Sequence, residues 1–265
     1  MNTTLLTVVS KTLIHGLIQR VVFKGDGLGN MPSNIAGLHI KLFFLKPGQV
    51  ELCLPTRTEN GFKWPEEGKI PFMRNYSVRY FDRNNNHLTV DFVLHNSGGP
   101  ASDFARYANI GDVIGFDGPG PAKLINEKCS NVILFGDLSA LPAIAAISES
   151  INRKKIRGIF LDLPNHDAIR PLVAEYFDSF DTILVLNQKL NGELEYLNVV
   201  NEFITNFSMT DTSVFLAGEH ASVVYIRRFL RAKQWPKENL YAVPYWRHAT
   251  AEDNYRQERH AVIDS

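Results

Sequence analysis

Hydrophobic residues along this chain follow two rhythms. Up to about residue 125 they come in short runs, LIQRVVF, GLHIKLFFL, VELCLP, RNYSVRYF, LTVDFVLH and DVIGFDGPG, divided by turn-forming stretches such as KGDGLGNMPSN, KPGQ and NNNH. Short apolar runs punctuated by Gly, Pro and Asn predict an antiparallel barrel or sandwich. One helix is predicted there, over SDFARYAN, with Ser102 and Asp103 as its N-cap residues.

From about residue 129 the rhythm changes. The runs NVILFG, RGIFLDL, DTILVLN, SVFLAGE and LYAVPYW alternate with helix-like segments, SALPAIAAISESINRK, IRPLVAEYF, ELEYLNVVNEFITNF and ASVVYIRRFLRAKQW. Strands alternating with helices at this spacing predict a doubly wound parallel sheet. The chain therefore reads as a β-domain over residues 1–125 followed by an α/β domain of nucleotide-binding type over 126–265. It has no internal repeat, low-complexity tract or long linker.

Composition removes several function classes. At 265 residues, 45% hydrophobic and 21% charged, the chain is expected to be soluble and globular. Basic and acidic residues balance at 28 each, so no global field recruits nucleic acid, and a basic site must be local. Cys53 and Cys129 lie far apart without a CxxC, which argues against a disulfide framework or a structural metal site. The segment MNTTLLTVVSKTLIHG lacks the marks of a signal peptide, and no later run reaches membrane-spanning length. A cytoplasmic monomer with no membrane partner is expected.

Candidate chemistry sits at the ends of predicted strands. RNYSVRY (74–80) places Arg74 and Tyr76 on one face of a strand, with Ser77 directed away from Tyr76. HNSGGPASDFARY offers Gly98 and Gly99 for close backbone approach, then a helix start whose N–H groups favour an anion. LFGDLSALPAIAAI runs from a strand into a helix, the place where open α/β sheets bind dinucleotides, although its single Gly136 is not GxGxxG. FLAGEHASVV repeats the strand–turn–helix logic, and a helix N-terminus favours Glu219 with or without a ligand.

Taken in order, RNYSVR, DFVLH…GGPAS, GDLSALPAI, FLAGE and YWR…AED resemble the siderophore-interacting protein family of ferric-siderophore reductases, within the ferredoxin-NADP reductase superfamily. The resemblance covers nearly the whole chain. It implies a six-stranded antiparallel FAD-binding barrel followed by an NAD(P)H-binding α/β domain with a C-terminal helix. Arg74 would then meet the flavin phosphates, Tyr76 would stack on the ring and Ser77 would stand at its edge, through hydroxyl or backbone. Asp91, Val93, His95, Gly99, Ala101 and Ser102 would lie along the FAD, with Phe104 where the family usually has tryptophan. Gly136, Asp137, Ser139 and Pro142 would flank a nicotinamide nucleotide, with Gly218 and Glu219 toward its nicotinamide end. Tyr245 and Trp246 would close the flavin side and order the last helix.

The resemblance also implies an iron-bearing substrate. No His, Asp, Glu or Cys spacing builds a first coordination shell, so the chelator must hold Fe(III) while Lys41, Lys46, Lys123 and Arg247 form a basic rim for an anionic chelate. The expected reaction passes single electrons from FAD to siderophore-bound Fe(III), with NADH, NADPH or reduced ferredoxin as donor. Asp162 and Asp167 near the second α/β strand, with only Arg170 beside them, lean toward NADH or ferredoxin, while Arg227 and Arg228 are the alternative 2'-phosphate contacts. A flavin reductase with another acceptor and a non-enzymatic siderophore binder are the rival readings.

Overall fold

The computed structural model describes residues 3–59, 61–95, 98–177, 183–187, 194–248, 250 and 255. The chain divides into two compact units, one up to Ala122 and one from Lys123 onward.

The first unit contains β1 (Thr4–Ile14), β2 (Ile18–Lys24), β3 (His39–Phe44), β4 (Thr56–Thr58), β5 (Gly61–Lys63), β6 (Phe72–Asp82), β7 (His87–Val93), α1 (Pro100–Tyr107) and β8 (Val113–Asp117). Six strands close into a barrel in the order β1-β2-β7-β6-β3-β8, and β4 pairs with β5 as a separate hairpin. The alternation seen in sequence fills the interior: Val21, Phe23, Leu88, Val90 and Phe92 are buried together with Leu6, Val8, Ile40, Leu42 and Phe116. Removing each of these side chains from water contributes about 1.5–3 kcal/mol, and together they do most to hold the barrel closed.

Two sequence expectations change here. VELCLP is not a strand. Val50 in that segment is 99% exposed, and the chain is held instead by Gln49, which accepts from the Lys46 N–H and donates to the Gly68 carbonyl. The first helix begins at Pro100 with Gly99 as its N-cap, three residues ahead of the N-cap expected at Ser102. Proline fits the first helical turn because its missing N–H would have had no partner there.

The second unit contains β9 (Asn131–Asp137), α2 (Leu141–Ser150), β10 (Ile156–Leu163), α3 (Ile169–Tyr176), β11 (Ile183–Asn187), α4 (Asn198–Ile204), β12 (Thr212–Glu219), α5 (His220–Ala232) and β13 (Leu240–Trp246). Its five strands run parallel in the order β11-β10-β9-β12-β13. Chain order reverses between β9 and β12, and at such a switch point the strand ends form a crevice. One sheet face, with Ile133, Phe135, Phe160, Val214 and Leu216, is packed by Val200 and Ile204 of α4 and Val223, Ile226 and Leu230 of α5. The expected C-terminal helix lies outside the described residues, apart from Thr250 and Tyr255; the Tyr255 hydroxyl is 2.8 Å from His220 Nδ1.

Candidate functional site

In the barrel unit the candidate residues gather on β6, β7 and the loop into α1. Register divides β6 at this motif. Residues 72–77 of β6 pair with β3, whereas pairing with β7 runs from Val78 to Asp82. The β7 ladder of β6 thus starts at Val78, just past the RNYS residues, which pair with β3. Tyr76 is half-buried, its ring 4.5 Å from that of Phe92, and Ser77 is buried. The Arg74 guanidinium donates to the Met73 carbonyl at 2.8 Å and lies 5.4 Å from the Phe72 ring, so it is steered along the strand.

Asp91 has a role that the strand pattern does not reveal. Its carboxylate is fully buried and takes a bidentate pair from Arg20, Nε to Oδ1 at 2.7 Å and Nη2 to Oδ2 at 2.8 Å, with Arg79 Nε at 3.9 Å. Arg20 and Asp91 are cross-strand partners in β2 and β7. Asp91 is thus engaged in a buried ion pair with Arg20. Val93 ends β7 opposite Ile18.

The loop to α1 is tied by its own polar groups. Ser102, buried, accepts the His95 N–H at 3.1 Å, and Asp103 accepts the Gly99 N–H at 3.2 Å. Gly98 and Gly99 have φ of +74° and +136°, a region only glycine enters without strain, and a Cβ on Gly99 would meet nothing within 4 Å. Ala101 is buried, and Phe104 packs 5.5 Å from Phe44, filling barrel core without needing an N–H. Guanidinium, phenol and hydroxyl on one strand, beside a glycine loop and a helix start, form a donor set that fits a flavin dinucleotide.

In the second unit the candidates converge on one carboxylate at the C-terminal edge of the sheet. Asp137, at the end of β9, accepts from the Ser139 N–H and hydroxyl through Oδ1, at 2.8 and 2.6 Å. Its Oδ2 accepts from the Glu219 N–H at 2.8 Å and Trp246 Nε1 at 2.7 Å. Burial still drives the Asp137 carboxyl above its ordinary range, against those four donors. Glu219 caps α5, accepting from Ala221 N at a short distance and Ser222 N at 3.3 Å, and its other oxygen accepts from His248 N.

The two glycines at this edge serve packing. A Cβ on Gly136 would stand 2.6 Å from Ala140 Cβ and 3.0 Å from the Ala217 carbonyl, so Gly136 lets α2 close on the sheet. A Cβ on Gly218, at φ +133°, would stand 2.7 Å from Asp137 Cγ. Pro142 lies in the first turn of α2 as expected.

Beside Asp137, in register on β10, is Asp162. It is 1% exposed, Oδ2 accepts from the Tyr196 hydroxyl at 2.6 Å, and Oδ1 has no hydrogen-bond partner among the described residues. Burial, reinforced by the charges of Asp137 and Glu219, pushes its carboxyl from 3.8 to about 6. Arg227 and Arg228 are poorly placed for this edge: they lie eight and nine residues beyond Glu219 on α5, about 12 Å down the helix at 1.5 Å per residue, and Arg227 is buried. Asp167 and Arg170 are exposed after β10.

The basic candidates belong to both units, Lys41 and Lys46 to the first and Lys123 and Arg247 to the second. Lys41 lies 3.6 Å from the buried Asp117 and 5.3 Å from the Phe62 ring, which binds it to the barrel wall. Arg57, which the sequence pattern did not single out, shares Asp117 at 2.7 Å. Lys46 stands 5.4 Å from the Phe72 ring, and Lys123 donates to Asn126 Oδ1 at 3.1 Å. Arg247 is exposed after β13. Long-range pairings such as Arg20 with Asp91 and Tyr196 with Asp162 have no local signature, which is why the motifs missed them.

A closed six-stranded antiparallel barrel followed by a five-stranded parallel sheet is the architecture of the ferredoxin-NADP reductase superfamily. Residues 7–123 match the family model described as a siderophore-interacting FAD-binding domain, and residues 129–249 match that of the siderophore-interacting protein. The chain is 31% identical to the ferric vibriobactin reductase ViuB of Vibrio cholerae over 98% of this chain and 95% of that protein. It is 27% identical to the NADPH-dependent ferric-chelate reductase of Escherichia coli, over 91% of each. The crystal structure of the siderophore-interacting protein SipS from Aeromonas hydrophila superposes with a TM-score of 0.79 at 30% identity, covering 100% of this chain and 99% of that one. The chain belongs to the siderophore-interacting protein family.

Proposed function

We propose that this protein is an FAD-dependent ferric-siderophore reductase. The observation that carries the reading is end-to-end similarity to a ferric vibriobactin reductase at 31% identity, together with a match to an FAD-binding domain over the barrel. Bound FAD supplies the conversion of a two-electron donor into single electrons for Fe(III). The chain's own residues bind and orient. Arg74 offers charge to the phosphates, Tyr76 an aromatic wall beside the ring, and Ser77 its hydroxyl or backbone at the ring's edge. The loop through His95, Gly98 and Gly99 admits the dinucleotide close to the backbone.

The iron stays in its chelate as substrate, and Fe(II) leaves because the chelator holds it less tightly. Lys46 and Arg247 are the docking candidates, whereas Lys41, tied to Asp117, contributes to the surface potential more than to direct contact. The donor is a nicotinamide dinucleotide or a reduced ferredoxin, the working form is a monomer, and the site of action is the cytoplasm. Among the described residues no helix is long and apolar enough to cross a membrane.

The test is anaerobic. Purified protein loaded with FAD is offered NADH, NADPH or reduced ferredoxin, then a ferric catecholate or hydroxamate, with a chromogenic Fe(II) chelator as trap. Flavin reduction by at least one donor and reoxidation matched by trapped Fe(II) are expected. Failure to take up FAD, or tight chelate binding without reoxidation, overturns the reading; the latter outcome identifies a siderophore carrier.

A further inference from the structure

We infer that Asp137 is a positioning residue which, with Glu219, clasps the chain where it leaves β13 and so sets where Tyr245 stands at the nucleotide edge of the sheet. The inference deepens the proposed function and rests on it only for the claim that this edge receives a nicotinamide dinucleotide.

The register supplies the first ground. Pro244 pairs with Gly218 and Trp246 with Glu219, so Tyr245 is the extra residue of a β-bulge at the last rung of the β12–β13 ladder. Bulges re-aim side chains, and their geometry holds only where neighbouring contacts determine it. Those contacts come from the two carboxylates. Asp137 Oδ2 takes Trp246 Nε1 at 2.7 Å, one residue after the bulge, and Glu219 Oε1 takes His248 N at 3.3 Å, two residues later. Asp137 Oδ2 also takes the backbone N–H of Glu219, so the Asp137 carboxylate is tied to the residue whose own carboxylate holds His248.

The second ground is that Asp137 has no capacity left over. Two donors fill each oxygen, and the backbone makes room for it, since Gly218 adopts φ +133° where a Cβ would lie 2.7 Å from the carboxylate carbon. A carboxylate so filled does not hydrogen-bond a nucleotide. It holds three strand ends, β9, β12 and β13, in one geometry, with Ser139 tying in the start of α2. An amide is no substitute: whichever way it turns, its NH2 faces either the Ser139 N–H or the Glu219 and Trp246 N–H groups, and a buried donor loses its partner.

The experiment uses Asp137→Asn, Trp246→Phe and the double variant in the full chain. Trp246 is one of three tryptophans, so difference spectra against Trp246→Phe isolate its near-ultraviolet circular dichroism and emission. Asp137→Asn is expected to flatten the Trp246 band while far-ultraviolet dichroism is kept. In the FAD-loaded protein it should raise KM for NADH or NADPH about tenfold, with a smaller change in kcat. Trp246→Phe keeps the ring and loses the N–H, and should give the same KM rise. The double variant should cost little beyond either single one, as expected for partners in one contact. Val223→Ala, a core truncation on α5, lowers stability without touching the clasp and should leave KM unchanged. Additive single effects, an unchanged Trp246 band, or an equal KM rise in Val223→Ala would overturn the proposal. The spectral readout needs no turnover, so absence of ferric reduction would count against the reductase reading and leave the clasp to be judged by its own signal.

Discussion

Asp162→Asn tests the electrostatics of the sheet edge directly. In the native chain the Asp162 carboxyl is held near 6 in place of 3.8, chiefly by burial, with Asp137 and Glu219 adding like charge and the Tyr196 hydroxyl relieving part of the cost. Two pH units at about 1.4 kcal/mol each set a ceiling of about 3 kcal/mol, and screening at a strand end reduces this to about 1–2 kcal/mol. A raised carboxyl pKa means that the folded state holds its proton longer than the unfolded state. Stability from this group is therefore complete below about pH 4 and is lost as pH rises toward about 6. The asparagine variant lacks that loss, although its NH2 occupies the unpartnered Oδ1 position at a constant, pH-independent cost. Urea unfolding of both proteins at several pH values between about 4 and 7.5 should give a variant-minus-native difference that climbs by about 1–2 kcal/mol across the window. A difference that stays level, or that falls with pH, would refute the reasoning.

Three further outcomes are expected. Arg74→Ala should cut FAD retention about tenfold or more, read as flavin per chain after gel filtration, whereas an arginine that only lies on the surface could be removed with little effect. Arg20→Leu removes the bidentate partner of the buried Asp91 carboxylate and should destabilise the barrel by about 3 kcal/mol in denaturant unfolding, with most of the loss recovered in the Arg20→Leu/Asp91→Leu double variant. Gly136→Ala puts a Cβ 2.6 Å from Ala140 Cβ and should lower thermal stability by about 1–3 kcal/mol with or without nucleotide, because the space is filled by the chain itself.

The motifs located the edges that matter, and the structure adds contacts within them that no motif names. Gly136 and Gly218, expected beside a nicotinamide nucleotide, are also positions where a Cβ would collide with Ala140 and Asp137, a constraint that no local pattern shows. Asp137, Ser139, Glu219 and Trp246 read as separate contacts and form one hydrogen-bonded knot. Asp91 read as a flavin neighbour and is held by Arg20, 71 positions earlier in the chain.

The sequence by itself determined the change of rhythm near residue 125, most of the strands and helices on either side of it though neither β1 nor the β4–β5 hairpin, and the glycine and aromatic signatures at their ends. These are local properties, set by periodicity and turn chemistry within a few residues. Tertiary structure alone decided where along β6 the β3 and β7 ladders run, which carboxylates are buried and which cations reach them. Those outcomes depend on pairings between residues tens of positions apart, and the free energy of a charge is set by what surrounds it in space, which no local pattern encodes.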